Sequence, residues 1–436
     1  MNIDTVAVYS TADKDSLHVK LATKAVCIGP AKASQSYLNM NSILTAALDN
    51  HCDAIHPGFG FLSENSDFAR LCEENNIKFI GPKADVIDAM GNKAMAKTMM
   101  RKGSVPVVPG SDGALKDYDE AKEIADRIGY PVLLKASAGG GGRGMRRAYS
   151  EEELKKAYDE AKAEARACFG NDEMYIEKLI VNPRHIEFQI LADEMGNVVH
   201  LGERDCSIQR KNQKLIEESP CMLLSDELRD KMGAAAVNAA KASGYTNAGT
   251  VEFVLDGDNN FYFIEMNTRI QVEHGVTEMV TGIDLIKEQI RIAFHEPLGF
   301  EQEDIKLKGH AMECRINAED PAKGFMPNSG KITFLNLPGG PGVRVDTMLY
   351  NGYETSPFYD SMMAKIIVHA PTRLEMIRKM RRALMEISTE GITTTSDFEY
   401  LILFHPDFIK GKYNVGFIEE HMDEILSWDA FGEGNE

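Results

Sequence analysis

The stretch GTVEFVLDGDNNFYFIEMNTRIQVEHGVTE, residues 249–278, decides how the chain is understood. Residues 250–255 and 261–266 are rich in β-branched and aromatic side chains, and 256–260 between them hold only Asp, Gly and Asn. That pattern predicts an antiparallel hairpin. With a loop at 257–260, Asp256 faces Phe261, Val254 faces Phe263 and Glu252 faces Glu265. Two carboxylates directly opposite repel and destabilise a strand pair. A hard cation between them reverses that sign, because Mg²⁺ takes one or two carboxylates together with substrate phosphates. If the chain stays extended, Glu265, Asn267, Arg269, Gln271 and Glu273 share one face, while Tyr262, Ile264 and Met266 bury the other. A ladder of acid, amide, cation, amide and acid predicts the floor of a site, where a purely structural strand would show a wet outer face.

At 436 residues the chain exceeds one core, so two or three domains are expected. Net charge is −19, from 48 basic and 67 acidic residues, which argues against general nucleic-acid binding. Any phosphate must then be held by a local cluster of cations, backbone N–H or metal. No apolar run is long enough for a bilayer and residues 1–20 show no signal-peptide pattern, so a cytoplasmic protein without a membrane partner is expected. The seven cysteines include no C-x-x-C, and Cys206 and Cys314 are expected to be packed thiols.

Strand-like runs at 5–9, 25–28, 54–56 and 78–80 alternate with helical periodicity at 37–48 and 65–75. This predicts an open parallel α/β sheet. The loop HPGFGFLSEN, 56–65, follows a strand, where ligands gather in such sheets, although a plain Gly-Pro turn explains it equally well. A helix at 92–102 leads to VPVVPG, 105–110, a boundary. A smaller α/β unit follows, with helices at 118–128 and 151–167 and strands at 131–135 and 174–178. Beyond Gly309 the chain turns β-like at 310–316, 330–335 and 365–368, before a helix at 372–387.

SAGGGGRGM, 137–145, presents four consecutive glycines whose N–H groups nothing shields, which suits a flap over phosphates or a flexible linker. It is neither a P-loop nor a dinucleotide fingerprint. Lys135 before it, Arg143 within it and Lys93 at a helix start are candidate phosphate cations. Glu177 and Lys178 end a strand that leads to Asn182, Pro183, Arg184 and His185, and His185, Glu187 and Gln189 alternate along the next one. ERDCSIQRKNQKLIEE, 203–218, gathers Arg204, Arg210, Lys211 and Lys214 in an acidic chain, as a solvated loop or an anion pocket beside the hairpin.

Taken together, Lys135 with SAGGGGRGM, ERDCSIQRKNQK and GTVEF…FIEMNTRIQVEH resemble the biotin carboxylase family of ATP-grasp ligases. HPGFGFLSEN, GHAMECRINAEDP at 309–321 and YDSMMAK at 359–365 fit the same family, so the likeness spans nearly the whole chain. It implies an N-terminal α/β domain (1–91), an ATP-grasp domain (92–300) with a mobile glycine-rich lid at about 107–179, and a C-terminal α+β domain (309–420). It implies ATP- and bicarbonate-dependent carboxylation of biotin on a separate carrier protein through carboxyphosphate, serving carboxyltransferase subunits of a parent complex, with a homodimer as the assembly. On this resemblance Glu252, Glu265 and Asn267 hold Mg²⁺ or Mn²⁺. Lys93, Lys135, Gly140 and Gly141 contact phosphates, and Glu177, Lys178, His185, Gln209 and Asn212 surround adenine and ribose. Lys214, Arg269, Gln271 and Val272 form the bicarbonate pocket, with Glu273 as its base. Arg315 stabilises the biotin enolate and Phe59 lies near biotin.

The chain departs from the family at four places. Met1 stands almost at the family's second strand: either the start is placed late, or the first sheet lacks a central strand and exposes edges at the gap. Asn212 replaces a frequent His, Gly275 a usual Pro and Phe59 a frequent Tyr. Two other readings compete: a non-catalytic ATP-binding scaffold, and an ATP-grasp domain that makes carbamoyl phosphate. The intact set Glu252, Glu265, Arg269, Glu273 and Arg315 favours the carboxylase.

Overall fold

The computed structural model describes residues 1–136, 145–169 and 172–428. Asn39, Asn65 and Asn92 each accept a backbone N–H three residues on and so start the helices Met40–Asp49, Ser66–Glu74 and Lys93–Lys102. The helices of the first region cover short parallel strands: β1 (Val6–Ser10) beside β2 (Lys24–Gly29), and β3 (Ala54–Ile55) beside β4 (Lys78–Phe79). The parallel pairing agrees with the alternation of strand and helix. The four strands fall into two separate pairs, the interrupted first sheet that the sequence led one to expect and not one continuous open sheet. Phe68, Cys72 and Phe79 pack the core of this region.

A three-stranded antiparallel sheet follows, built from β5 (Val132–Ala136), β6 (Met145–Ala148) and β7 (Met174–Lys178), with β5 central. Its buried positions on β5 alternate, and Leu134 and Ile176 pack against Ala125 and Leu154 of the helices Tyr118–Ile128 and Glu151–Phe169.

The rest is organised by one eight-stranded sheet. It contains β8 (Arg184–Ala192), β9 (Val198–Arg210), β10 (Gln213–Ser219), β11 (Asn247–Leu255), β12 (Phe261–Asn267) and β13 (His310–Asn317). Two more strands, Val343–Thr347 and Met362–Ala370, complete it. The order is β12-β11-β8-β9-β10-β13, then Met362–Ala370, then Val343–Thr347, all antiparallel. The sheet therefore runs without a break from the central third of the chain into its last third, through the β10–β13 pairing.

The hairpin forms, with a different register at its tip. Leu255 pairs with Phe261, so the loop is 256–260, and Val254 meets Tyr262. Asp256 stabilises the longer loop by accepting the N–H groups of Asp258 at 2.9 Å and Asn260 at 2.8 Å. A bulge then leaves Ile264 unpaired and brings Glu252 opposite Glu265, as the shorter loop also predicted. The bulge switches faces: Phe263 and Met266 are buried, while Tyr262 and Ile264 are half-buried. The ladder is also shorter than expected. The strand ends at Asn267, and Glu273 caps the helix His274–Thr281, so Gln271 and Glu273 reach the site through a turn.

Residues 203–218 are not a loop. They form most of β9 and β10, joined by a two-residue turn at Lys211 (φ 48°) and Asn212 (φ 66°). Both left-handed conformations are what a tight hairpin turn demands, and Asn adopts them at low cost.

Candidate active site

Register places the polar side chains in rows across the sheet. Glu265, Glu252, Glu187 and Arg204 sit opposite one another on β12, β11, β8 and β9. In the next row Asn267, Thr250 and Gln189 are partners. Three carboxyls side by side would repel, so the cations around them decide whether the row is stable.

Arg204 is wholly buried and uses its five N–H groups on Glu187, Gln189, Thr250, Gln271 and Thr277, at 2.5–3.0 Å. Lys214 Nζ lies 2.6 Å from Glu187, 3.3 Å from Glu252 and 2.6 Å from Glu273. Burial draws the Lys214 pKa down, but these three carboxylates outweigh it and hold the ammonium well above its ordinary value. Glu252 Oε1 also accepts Asn267 Nδ2 at 2.8 Å and Gln271 Nε2 at 2.9 Å. Burial would raise Glu252, yet Lys214 and His185 keep it well below the usual carboxylate range. Glu265 is raised, by burial first and then by Glu252 beside it.

Glu273 is gripped from two sides, by Lys214 at Oε1 and by Arg315 Nη2 at 2.7 Å from Oε2. Burial pushes its pKa up, but Lys214, Arg315 and Arg204 hold it far below normal, so the side chain is an ionised base. Behind it Arg315 Nε donates to Glu217 at 2.6 Å. The Val272 carbonyl accepts Lys365 Nζ. Arg269 donates to Glu64 at 3.1 Å and to Asn267 at 3.0 Å. Glu64 belongs to HPGFGFLSEN and also accepts the Thr268 N–H at 3.1 Å, so that loop is joined to the site. Phe59, in the same loop, is exposed.

At the other end, Lys135 meets Glu177 at 2.5 Å, and Lys97 pairs with the same carboxylate. Burial, then the neighbouring lysines, lowers Lys97 and Lys135 to about 8. The Glu177 side chain thus joins the two lysines. Lys178 Nζ is used on the carbonyls of Gly129 and Tyr130. His185 Nε2 lies 3.0 Å from Glu252 Oε2, so its ring faces the carboxylates. Gln209 and Asn212 do line a cleft of about 540 Å³, with Leu179, Ile180, Val181 and Val415. Lys93 begins its helix and lowers Glu265 through space. Gly140 and Gly141 lie outside the described residues.

The arrangement can hold a divalent cation at Glu252, Glu265 and Asn267. His185, Glu187 and Glu252 also bring ligand atoms within 4.8 Å of one another, but Lys214 already supplies their positive charge. Cys206 and Cys314 are buried, with pKa values pushed well up by burial, as packed thiols should be. Sequence reasoning did not assign Arg204, Glu64, Lys97, Glu187, Glu217 or Lys365. Glu187 had a signal in its alternation with His185 and Gln189, and Arg204 in its place among interleaved amides.

Comparison with known proteins bears on this geometry. Residues 1–87 match the biotin carboxylase N-terminal domain, 92–300 the ATP-binding domain of the carbamoyl-phosphate synthase L chain, and 313–420 the biotin carboxylase C-terminal domain. The chain is 56% identical over 427 residues to biotin carboxylase 1, chloroplastic, of Populus trichocarpa, covering 98% of this chain and 81% of that protein. It is 55% identical over 422 residues to biotin carboxylase 1 of Bacillus subtilis (97% and 94% covered) and 53% over 421 residues to the 2-oxoglutarate carboxylase small subunit of Hydrogenobacter thermophilus (97% and 89% covered). Among solved structures, the bicarbonate-bound biotin carboxylase domain of a thermophilic 2-oxoglutarate carboxylase superposes with a TM-score of 0.94 at 51% identity, covering 98% of this chain and 94% of that one. Biotin carboxylase from Campylobacter jejuni, in a β,γ-ATP complex, gives 0.89 at 51%, with 95% and 93% covered. The ATP-binding match alone fits a carbamoyl-phosphate enzyme, but the matches on both sides of it and the full-length relatives do not, and the chain belongs to the biotin carboxylase family of ATP-grasp enzymes.

Proposed function

We propose that this chain carboxylates biotin on a separate carrier protein, consuming ATP and bicarbonate through carboxyphosphate. The observation that carries it is Glu273, held ionised between Lys214 and Arg315. Lys214, Arg269, Gln271 and the Val272 backbone surround the position for bicarbonate. Glu273 takes its proton, and a bicarbonate oxygen attacks the γ-phosphorus as ADP leaves. Lys93, Lys97 and Lys135 face the polyphosphate end, and the cleft at Gln209 and Asn212 takes the nucleoside. Glu252, Glu265 and Asn267 fit Mg²⁺ or Mn²⁺, because two opposed acids and an amide oxygen suit a hard cation. That ion neutralises phosphate charge during transfer. After carboxyphosphate breaks down to CO₂ and phosphate, the phosphate takes the N1 proton of biotin, Arg315 stabilises the enolate that results, and N1 takes up the CO₂. A planar, permanently charged donor suits that oxygen, since it needs no reorganisation.

The parent complex on this reading is an acyl-CoA carboxylase of fatty acid synthesis, in the cytoplasm, with carboxyltransferase subunits and a homodimeric carboxylase. One relative structure is described as a domain dimer with MgADP and bicarbonate. Relatives named as subunits of pyruvate and 2-oxoglutarate carboxylases are 53% identical, close to the 56% of the plant enzyme, which supports a two-subunit keto-acid carboxylase as the second reading. Bicarbonate-dependent ATP cleavage with free biotin tests the activity. ATPase that ignores bicarbonate would overturn it, and no turnover at all would favour a scaffold.

A further inference from the structure

Behind Arg315 lies a group of acids for which the proposed mechanism has no use. Glu217 on β10 and Glu313 on β13 are direct cross-strand partners, and both are wholly buried. Arg315 lies two residues along β13 from Glu313 and so on the same face. Its Nε and Nη2 are both 2.6 Å from Glu217 Oε1, and the same Nη2 reaches Glu273. Glu217 therefore sets the side chain from behind while Glu273 meets it from the front.

Among the described residues neither oxygen of Glu313 has a hydrogen-bond partner. Lys365, the nearest cation, stays 3.6 Å away and is shared with Asp346 at 3.6 Å and the Val272 carbonyl. Above Glu313 packs the helix His274–Thr281, where a Cβ on Gly275 would lie 3.3 Å from Glu313 Oε2. His274 of that helix donates Nδ1–H to the Gln271 carbonyl, 2.8 Å away, and gives Glu313 no hydrogen bond. Below, buried Glu399 of the helix Ser396–Ile402 adds another acid near Glu217. Four buried carboxyls (Glu217, Glu273, Glu313 and Glu399) thus share Arg315, Lys365 and one contact from Lys214. An ionised carboxylate without a donor is among the costliest groups to bury, whereas its acid form costs far less.

Resting on the carboxylase reading above, we propose that Glu217 is a positioning residue for Arg315, and that Glu313 stays a neutral acid so that Glu217 can keep the guanidinium aimed at Glu273. If Glu313 ionised, it would place a second negative charge beside Glu217 and compete with Glu273 for Arg315. Burial in the first place, and the neighbouring acid in addition, raises Glu217 to about 7 and Glu313 to about 8, against the pull of Arg315 and Lys365. The loss of biotin carboxylation on the alkaline side is then set by Glu313.

Two measurements test this. The first is the pH profile of biotin carboxylation for the wild type, Glu313→Gln and Glu217→Gln. Glu313→Gln, a neutral isostere, is expected to keep neutral-pH turnover and to move the alkaline limb up by about one pH unit or more. Glu217→Gln is expected to lower biotin carboxylation about tenfold with the Kd for ATP unchanged. A Glu313→Gln profile superimposable on the wild type would overturn the proposal. The second is infrared difference spectroscopy of the wild type against Glu313→Gln across pH, because buried Glu217 and Glu399 also hold protons. A carboxylic-acid band present only in the wild type and disappearing near pH 8 is expected, and its absence at pH 7 would overturn the proposal. If the wild type shows no bicarbonate-dependent turnover, the carboxylase reading fails while the infrared band still decides the state of Glu313.

Discussion

A single carboxylate carries the proposed chemistry, and its surroundings explain how it works near neutral pH. Glu273 is ionised because Lys214 and Arg315 grip one oxygen each. Glu273→Ala should abolish bicarbonate-dependent ATP cleavage and leave the Kd for ATP within a few-fold, by calorimetry. A large loss of ATP affinity would contradict the role. Arg204 makes a different prediction, about stability. Lysine has three donors for the five acceptors that Arg204 now serves, so Arg204→Lys strands buried polar groups. The expected destabilisation is roughly 3–5 kcal/mol, measured by denaturant unfolding. Much of this was legible in the residues themselves. The opposition of the acids at 252 and 265 follows from pairing rules alone, and the Lys214 neighbourhood stands out as positive in an acidic chain. Arg204 looks like one more member of that cluster, because nothing in a linear sequence tells a buried fork from a solvated one.

Elements were legible where a local signal dominates. The helix Tyr118–Ile128 and the strand Met174–Lys178 have the bounds that their patterns predict. The hairpin was half legible. Its strands and its acid pair follow from alternation, but its register at the tip depends on the side-chain turn made by Asp256 and on the bulge at Ile264. The extended ladder failed because alternation says nothing about where a strand stops. Residues 203–218 failed more fully, since charged strands buried on both sides do not resemble strands until their partners are known. The HPGFGFLSEN loop gives a test at this scale. Glu64 is its tie to Arg269 and Thr268, so Glu64→Ala should raise the KM for bicarbonate about fivefold and leave that for ATP unchanged. Equal changes in both would show that the loop merely supports the fold.

For the whole molecule, the buried acids oppose each other in their effect on pH stability. Glu313 and Glu217 hold protons more tightly folded than unfolded, so their contribution falls as pH rises from about 4.5 toward 8 and 7 respectively. The slope is about 1.4 kcal/mol per pH unit for each proton that only the folded state keeps. Glu252 and Glu273 are depressed, so their stabilisation is present above about 4.5 and is lost as pH falls below it. These acids favour pH 5 over pH 8, against the lowered His56, His200, His274 and His310, whose contribution rises with pH, and Glu313→Gln should raise the stability at pH 8 relative to pH 5 in a scanning calorimeter. Global topology was legible in part. Four short parallel strands alternating with helices predict one open sheet, and its division into two pairs is the interruption expected from the sequence, whereas the eight-stranded sheet joins β10 and β13, which lie far apart along the chain, and no local pattern shows that pairing.

The β10–β13 pairing has a consequence for how this protein can be taken apart. Residues 301–309 look like a natural place to cut, since the two matched domains end and begin on either side of them. Cutting there frees nothing, because the halves on either side remain laced edge to edge by main-chain bonds. Two fragments made separately would each present a raw, sticky margin, so exchange of the last third between relatives should yield soluble chimeras only when both strands of that seam travel together.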